Sequence, residues 1–274
     1  MEMLIGCCVN MLPKAKDDPG IRYAPEVKQA GFDYIELPIG QVIGLKESEF
    51  RDARAYLRNL NLPVHACNNF FTPDVKLVGR NVDKGKVRGA YQHALEWAQL
   101  LGARYVVFGS PWSKACPADF PKEHAFDQLA EWCVEIGDEA QKHGLVIALE
   151  PNNRQETNMI NTFSDVVALS QAAKHPHVMC LQDYYHLGVE HDTVDSLLLH
   201  GRERLVHVHF ARIEKRGFPK TMSEDSYYQT FFHTLKEIDY RGGISMEGFP
   251  ESRESFLIEA TQTCRFLRSA VQWN

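Results

Sequence analysis

Short apolar runs alternate with longer amphipathic stretches along the whole chain. The runs fall at 4–9, 32–37, 62–67, 104–109, 145–150, 178–183, 204–209 and 242–247. They lack a clean apolar–polar alternation, which is the pattern of parallel strands buried on both faces. Between them, apolar residues recur at helical spacing. In 47–59 they are Phe50, Ala53, Tyr56 and Leu57, with Leu60 just beyond. The same spacing predicts helices over 23–30, 84–101, 123–143, 162–174, 194–199, 226–238 and 253–270. Gly31, Gly102 and Gly144 stand where three of these should stop, and Thr162 with Asp165 forms a helix start.

Strand after helix at this regular spacing predicts parallel βα units. Eight units with no linker or composition break predict a single (β/α)8 barrel spanning 1–274. The alternative, an open doubly wound sheet, lacks the glycine-rich fingerprint that would follow its first strand.

The chain has 274 residues, close to the roughly 250 of one such barrel. Its net charge of -6 and pI near 6.1 argue against a nucleic-acid or anionic-membrane partner. Seven cysteines, including the adjacent Cys7 and Cys8, show no CxxC pair, so they read as reduced thiols of a cytoplasmic protein. Residues 1–6 predict a first strand and not a signal peptide, and no apolar run approaches the ~20 residues of a membrane span.

One run changes the picture. Leu145–Leu149 ends in Glu150, and Pro151 then forbids another ladder hydrogen bond. A carboxylate at the end of a buried strand is costly unless compensated. Chemistry in such barrels lies at the C-terminal strand ends. The fifth to eighth runs end in Glu150, Asp183, His209 and Glu247. Neighbouring strands lie about 4.8 Å apart, so four residues on one arc can converge on one ion. Taken singly, a strand-end Glu is more often a loop hydrogen-bonder; four ligand types on consecutive strands predict a divalent metal. The oxygen-rich set suits Mn²⁺, Mg²⁺ or Co²⁺, with Zn²⁺ as a further candidate. His207 reads as a barrel histidine pointing opposite to His209 or at another layer. Glu36 and His65 read as pocket lining or structural hydrogen-bonders.

Leu149-Glu150-Pro151-Asn152-Asn153-Arg154 with Glu156 and Asn161-Thr162, then Asp183-Tyr184-Tyr185-His186, His207-Val208-His209 and Met246-Glu247-Gly248-Phe249 carry a family resemblance. The chain resembles the sugar isomerase/epimerase superfamily of xylose-isomerase-like TIM barrels, and within it the D-tagatose/D-psicose 3-epimerase type. The resemblance implies Glu150, Asp183, His209 and Glu247 as ligands of one divalent metal per chain, most typically Mn²⁺. It implies Glu156 and His186 as substrate contacts and Trp112 as a loop aromatic near the pocket. It also implies proton transfer on a ketose through an enediolate, with Glu150 and Glu247 as the two proton carriers. A homo-oligomer is a further expectation.

The chain departs from that pattern after His209. The family's Gly-Glu pair is replaced by Ala211-Arg212, and Lys215 stands where a substrate-binding Arg would fall, with Arg216 one residue later. Arg212, Lys215, Arg216 and Lys220 read either as a solvated loop or as a basic mouth for a substrate phosphate or carboxylate. That keeps a dehydratase of polyhydroxy keto compounds, of the inosose or dehydroshikimate type, as the alternative. An endonuclease IV-type enzyme would need an Asp-x-His between Ala211 and Tyr228 and a His after the fourth strand. Neither is present, and the acidic charge also disfavours DNA. A non-enzymatic barrel would be expected to have lost ligand residues.

Overall fold

The computed structural model describes residues 3–272. Met1 and Glu2 of the first strand expected over 1–6, and the last two residues of the predicted 1–274 barrel, lie outside them. Eight parallel strands close in chain order, with the eighth pairing back to the first. They are β1 (Ile5–Cys8), β2 (Tyr34–Pro38), β3 (Val64–Asn68), β4 (Tyr105–Phe108), β5 (Val146–Leu149), β6 (Val178–Asp183), β7 (Leu205–Phe210) and β8 (Gly243–Met246). The helices are α1 (Ala24–Ala30), α2 (Ile39–Val42), α3 (Glu47–Asn59), α4 (Lys84–Leu101), α5 (Pro111–Lys114), α6 (Lys122–Lys142), α7 (Phe163–Ala173), α8 (Tyr184–Val189), α9 (Asp195–Arg204), α10 (Tyr228–Glu237) and α11 (Phe256–Ala270).

The stop and start signals work as expected. Gly31 and Gly102 end α1 and α4 in the left-handed conformation, with φ of 96° and 86°. Thr162 and Asp165 form a reciprocal capping box at α7. Three short helices, α2, α5 and α8, were not expected from periodicity. The last of these starts on Asp183, whose side chain accepts from the backbone N–H groups of Tyr185 and His186.

The main apolar core fills the space between the strands and the surrounding helices, while Val107, Ala148 and Leu181 form a separate small cluster. The lower barrel is polar. Ser245 donates its one hydroxyl hydrogen to Glu36 at 2.6 Å, so Tyr34 donates to Ser245 at 2.8 Å. Gly6 makes room here, because a Cβ at that position would collide with the Tyr34 ring. His65 packs its ring against Tyr34 and Tyr105, at centroid distances of 4.9 and 5.4 Å. Those are the first residues of β2 and β4, so His65 is structural and sits away from the strand ends. Residues two apart on a strand share a face. His207 therefore points the same way as His209, one layer down: of the two expectations for it, another layer holds and the opposite face is corrected.

Candidate active site

Glu150 follows β5, Asp183 ends β6, His209 lies near the end of β7, and Glu247 follows β8. All four are buried, and each offers a ligand atom such that these atoms all lie within 4.8 Å of one another. The backbone ladder places the two glutamates: Glu150 N–H donates to Phe108 at 3.2 Å and Glu247 N–H to Phe210 at 3.1 Å. His209 Nδ1 sits between them, 3.1 Å from Glu150 Oε1 and 3.0 Å from Glu247 Oε2.

The other nitrogen of His209 turns down into the barrel. Its Nε2 is 2.9 Å from Glu36 Oε1, while Glu36 Oε2 is 2.9 Å from His207 Nε2. One fully buried carboxylate thus bridges two histidines. Burial alone would raise Glu36, but His209 and His207 outweigh it and hold the carboxyl well below its ordinary value. Burial would lower His209, yet Glu36 and Glu247 drive it well above the usual imidazole range.

Glu247 is held by four donors. Asn10 and Asn68 give their side-chain amides to Oε1 at 2.8 and 3.1 Å, and Arg216 gives Nη2 to Oε2 at 2.6 Å beside His209. Burial pushes Glu247 up, but His209 and Arg216 leave it at about 2. Asp183 goes the other way. Burial raises it, Arg216 only partly offsets this, and the neighbouring Glu150 and Glu247 raise it further, to about 7.

Glu150 depends on two neighbours. Lys114, buried on α5, donates to the Glu150 carbonyl at 2.7 Å. Burial pulls this ammonium down to about 8 against the raising effect of Glu150 and Glu156. Gly109 leaves space for the carboxylate, since a Cβ there would collide with Glu150 Oε2. Gly109→Ala should therefore displace Glu150, with kcat/KM falling at least about tenfold while the far-UV spectrum and thermal midpoint stay near wild type. Steady-state kinetics beside a melting curve check this; unchanged kinetics would show that Glu150 does not need its observed place.

His186 and Glu156 stand beside the four. Nδ1 of His186 accepts from the Asn153 backbone N–H at 3.2 Å, which places the ring proton on Nε2, 3.5 Å from Asp183 Oδ2. Burial, then Arg216, lowers His186 well below its ordinary value, so the ring is neutral. Glu156 is 3.6 Å from Arg216 Nη1 and is raised by burial, with Arg216 opposing. Trp112, on α5, is 56% exposed. Its backbone carbonyl accepts from Lys76.

The loop after His209 differs from both expectations for it. Lys215 is exposed, and Arg216 enters the site instead. Both have left-handed backbone, with φ of 56° and 47°. Such consecutive non-glycine residues carry strain of roughly 1–3 kcal/mol each, a cost that clusters at functional sites. The turn points Arg216 inward, where it meets Asp183, Glu247 and Glu156 and lies over the Tyr185 ring at 4.6 Å. Nor do the four basic residues form one basic mouth. Arg212 pairs with Glu224 of the same loop, and Lys220 with Glu251 beyond β8 and Glu259 on α11.

The donor set fits a divalent cation. Three buried carboxylates around one imidazole nitrogen are costly: burial first, and then Glu150 and Glu247, raise the Asp183 carboxyl. A cation removes that cost, while Glu36 supplies the outer hydrogen bond that orients a metal-binding histidine.

The sequence model of the xylose isomerase-like TIM barrel matches residues 24–270. An L-ribulose 3-epimerase of Methylomonas sp. (strain DH-1) is 28% identical over 227 residues, 81% of this chain and 75% of the relative. A 3-dehydro-D-guloside 4-epimerase of Escherichia coli (strain K12) is 26% identical over 256 residues, 90% of each. Among solved structures, a D-psicose 3-epimerase with D-tagatose from Clostridium cellulolyticum H10 superposes with a TM-score of 0.87 at 17% identity, covering 99% of this chain and 100% of the other.

Proposed function

The chain belongs to the xylose isomerase-like TIM barrel family, and from that premise we propose that it is a divalent-metal-dependent epimerase of ketose-type sugars. The observation that carries this reading is the pair of buried carboxylates, Glu150 and Glu247, on either side of His209 Nδ1 at 3.1 and 3.0 Å. The relatives support it: they include 3-epimerases of L-ribulose and D-psicose and a 4-epimerase of a keto-glycoside.

Glu150, Asp183, His209 and Glu247 would hold the ion, for which Mn²⁺ is our choice over Mg²⁺, Co²⁺ and Zn²⁺. When bound, the ion supplies positive charge for the oxyanion that develops at the ketose carbonyl. One of Glu150 and Glu247 removes the proton from the carbon beside the carbonyl, and the other delivers one to the opposite face. His186, as an Nε2–H donor, and Arg216 hold substrate oxygens, and Glu156 accepts from a substrate hydroxyl. Trp112 packs against the far end of the sugar. Lys215 drops out of this set.

The basic loop gives less support to a phosphorylated or acidic substrate, because Arg212 and Lys220 are already paired and Lys215 faces solvent. The substrate is therefore a free ketose or keto-glycoside. Seven buried free thiols support a cytoplasmic setting. Among the described residues, no helix is long and apolar enough to cross a membrane.

The test is a screen of free ketoses with each of the four ions. Epimerised sugar should appear with at least one ion and vanish on chelation. An unsaturated product would replace the reading by a dehydratase, and no turnover with any ion would overturn it.

Metal affinity should also depend on pH. The Asp183 carboxyl, raised to about 7, holds a proton in the metal-free protein that binding must expel. Titration calorimetry should show affinity rising with pH through 7 and beyond, with proton release throughout, because His209, held well above the usual imidazole range, must shed a proton as well. A flat profile from pH 5 to 8 would contradict the assignment of Asp183.

A further inference from the structure

Glu247 Oε1 receives two side-chain amides, from Asn10 beyond β1 and Asn68 at the end of β3. An amide beside a carboxylate oxygen must present its NH2, so the orientation of both side chains is fixed. That leaves Asn10 Oδ1 and Asn68 Oδ1, and both are buried without a hydrogen-bond partner. Asn68 is only 2% exposed. A buried acceptor left unpaired is costly, and these two belong to amides that meet on one carboxylate oxygen, so a bound donor there would relieve the cost.

Each orphan oxygen lies within one carboxamide's width of the Glu247 carboxylate, one of the two proposed proton carriers. Both amides come from the β1–β3 side of the barrel, opposite β5 and β6, which carry Glu150 and Asp183.

Resting on the proposed function, we infer that Asn10 and Asn68 select the substrate by accepting hydrogen bonds from two of its free hydroxyls, on the carbons nearest Glu247. A carbonyl oxygen needs a donor, and the donors of a sugar are its hydroxyl O–H groups. The two positions therefore take unsubstituted hydroxyls and refuse an ether, a glycosidic oxygen or a phosphate ester. A glycoside is admitted only with its substituted oxygen at the other end of the chain. Neutral acceptors also suit a neutral polyol better than an acid, whose oxygens cannot donate.

The experiment is a binding cycle on metal-loaded protein, with calorimetry as the readout. Wild type, Asn10→Ala and Asn68→Ala are each titrated with a ketose and with its singly deoxygenated analogues. Each Ala variant should bind the parent ketose about tenfold more weakly, the effect of one unmatched hydroxyl. One deoxy analogue per variant should bind wild type and variant alike, because the group it would have met is gone. Equal weakening for the parent and every analogue would overturn the inference and leave the amides with the sole task of holding Glu247. Asn10 is partly exposed, so its variant stands if Asn68→Ala fails to fold. Turnover is scored separately. A ketose that binds in this pattern without being epimerised would sink the functional reading and spare the two contacts; no binding of any ketose would overturn both.

Discussion

Glu150→Gln and Glu247→Gln are each expected to lower kcat for epimerisation by about 10³-fold at saturating metal, the scale of a lost general acid or base. Each amide is isosteric with the carboxylate it replaces, and each keeps an oxygen toward His209 Nδ1. Gly109 leaves room beside Glu150 for the new group. The two variants should nonetheless fail differently. With Glu247 disabled, Glu150 can still remove a proton and return one to the same face, so one epimer exchanges its C–H with solvent without inverting. With Glu150 disabled, the other epimer does so. NMR in D2O on each epimer separately reads this, with metal content measured alongside. Loss of exchange from both epimers in both variants, with metal retained, would contradict the assignment of one carboxylate to each face.

Glu36→Gln is expected to carry the largest cost to stability. The Glu36 carboxylate accepts from Ser245 and faces Nε2 of both His207 and His209, all in a fully buried layer. A glutamine there must turn its NH2 toward at least one of these groups, which leaves a donor facing a donor and an imidazole without its counter-charge. Breaking a buried pair of this kind costs roughly 3–5 kcal/mol. Metal affinity should fall by about 10–100-fold as well, because the bond that fixes the His209 tautomer is lost.

The same layer sets a pH signature for the metal-free protein. The lowered Glu36 carboxyl contributes stability that is complete above the ordinary carboxylate value of 4.5 and is lost only as pH falls through its lower folded value. The raised His209 contributes stability that is complete below the ordinary 6.5 and is lost as pH rises through its higher folded value. Asp183, raised from 3.8 to about 7, erodes stability as pH climbs through that interval. Wild-type apo protein should thus lose stability toward and above neutral pH, metal should reverse this, and Glu36→Gln should flatten it. Denaturant melts at pH 5 and 8 measure the effect; a variant with wild-type stability and pH dependence would contradict the bridging role of Glu36.

The barrel was readable because its signals are local: apolar runs end in glycine, proline or a charge, and helical stripes fill the gaps. Glu150, Asp183, His209 and Glu247 were readable for the same reason, each standing at the edge of an apolar run. Glu36 was readable as pocket lining or a structural hydrogen-bonder, and the second holds; its partners were harder to read, because they come from β7 and β8, far along the sequence. The signal available was the period-two spacing of His207 and His209, which puts both rings on one face. The sequence offered both Lys215 and Arg216 and could not choose, because the turn that aims Arg216 inward uses left-handed backbone at both residues, with no Gly or Asn to mark it. Asn10 and Asn68 left no mark in the sequence, since a neutral amide at a strand end looks like loop polarity. The helix α8 is too short for periodicity and is begun by the same carboxylate, Asp183, that faces the site.

The most direct measurement runs the metal-loaded wild-type enzyme on a free ketose in D2O and follows the product by NMR. The account predicts one solvent deuterium at the inverted carbon beside the carbonyl, in a product with all its hydroxyls. A product without deuterium at that carbon, or one that has lost water, would contradict it.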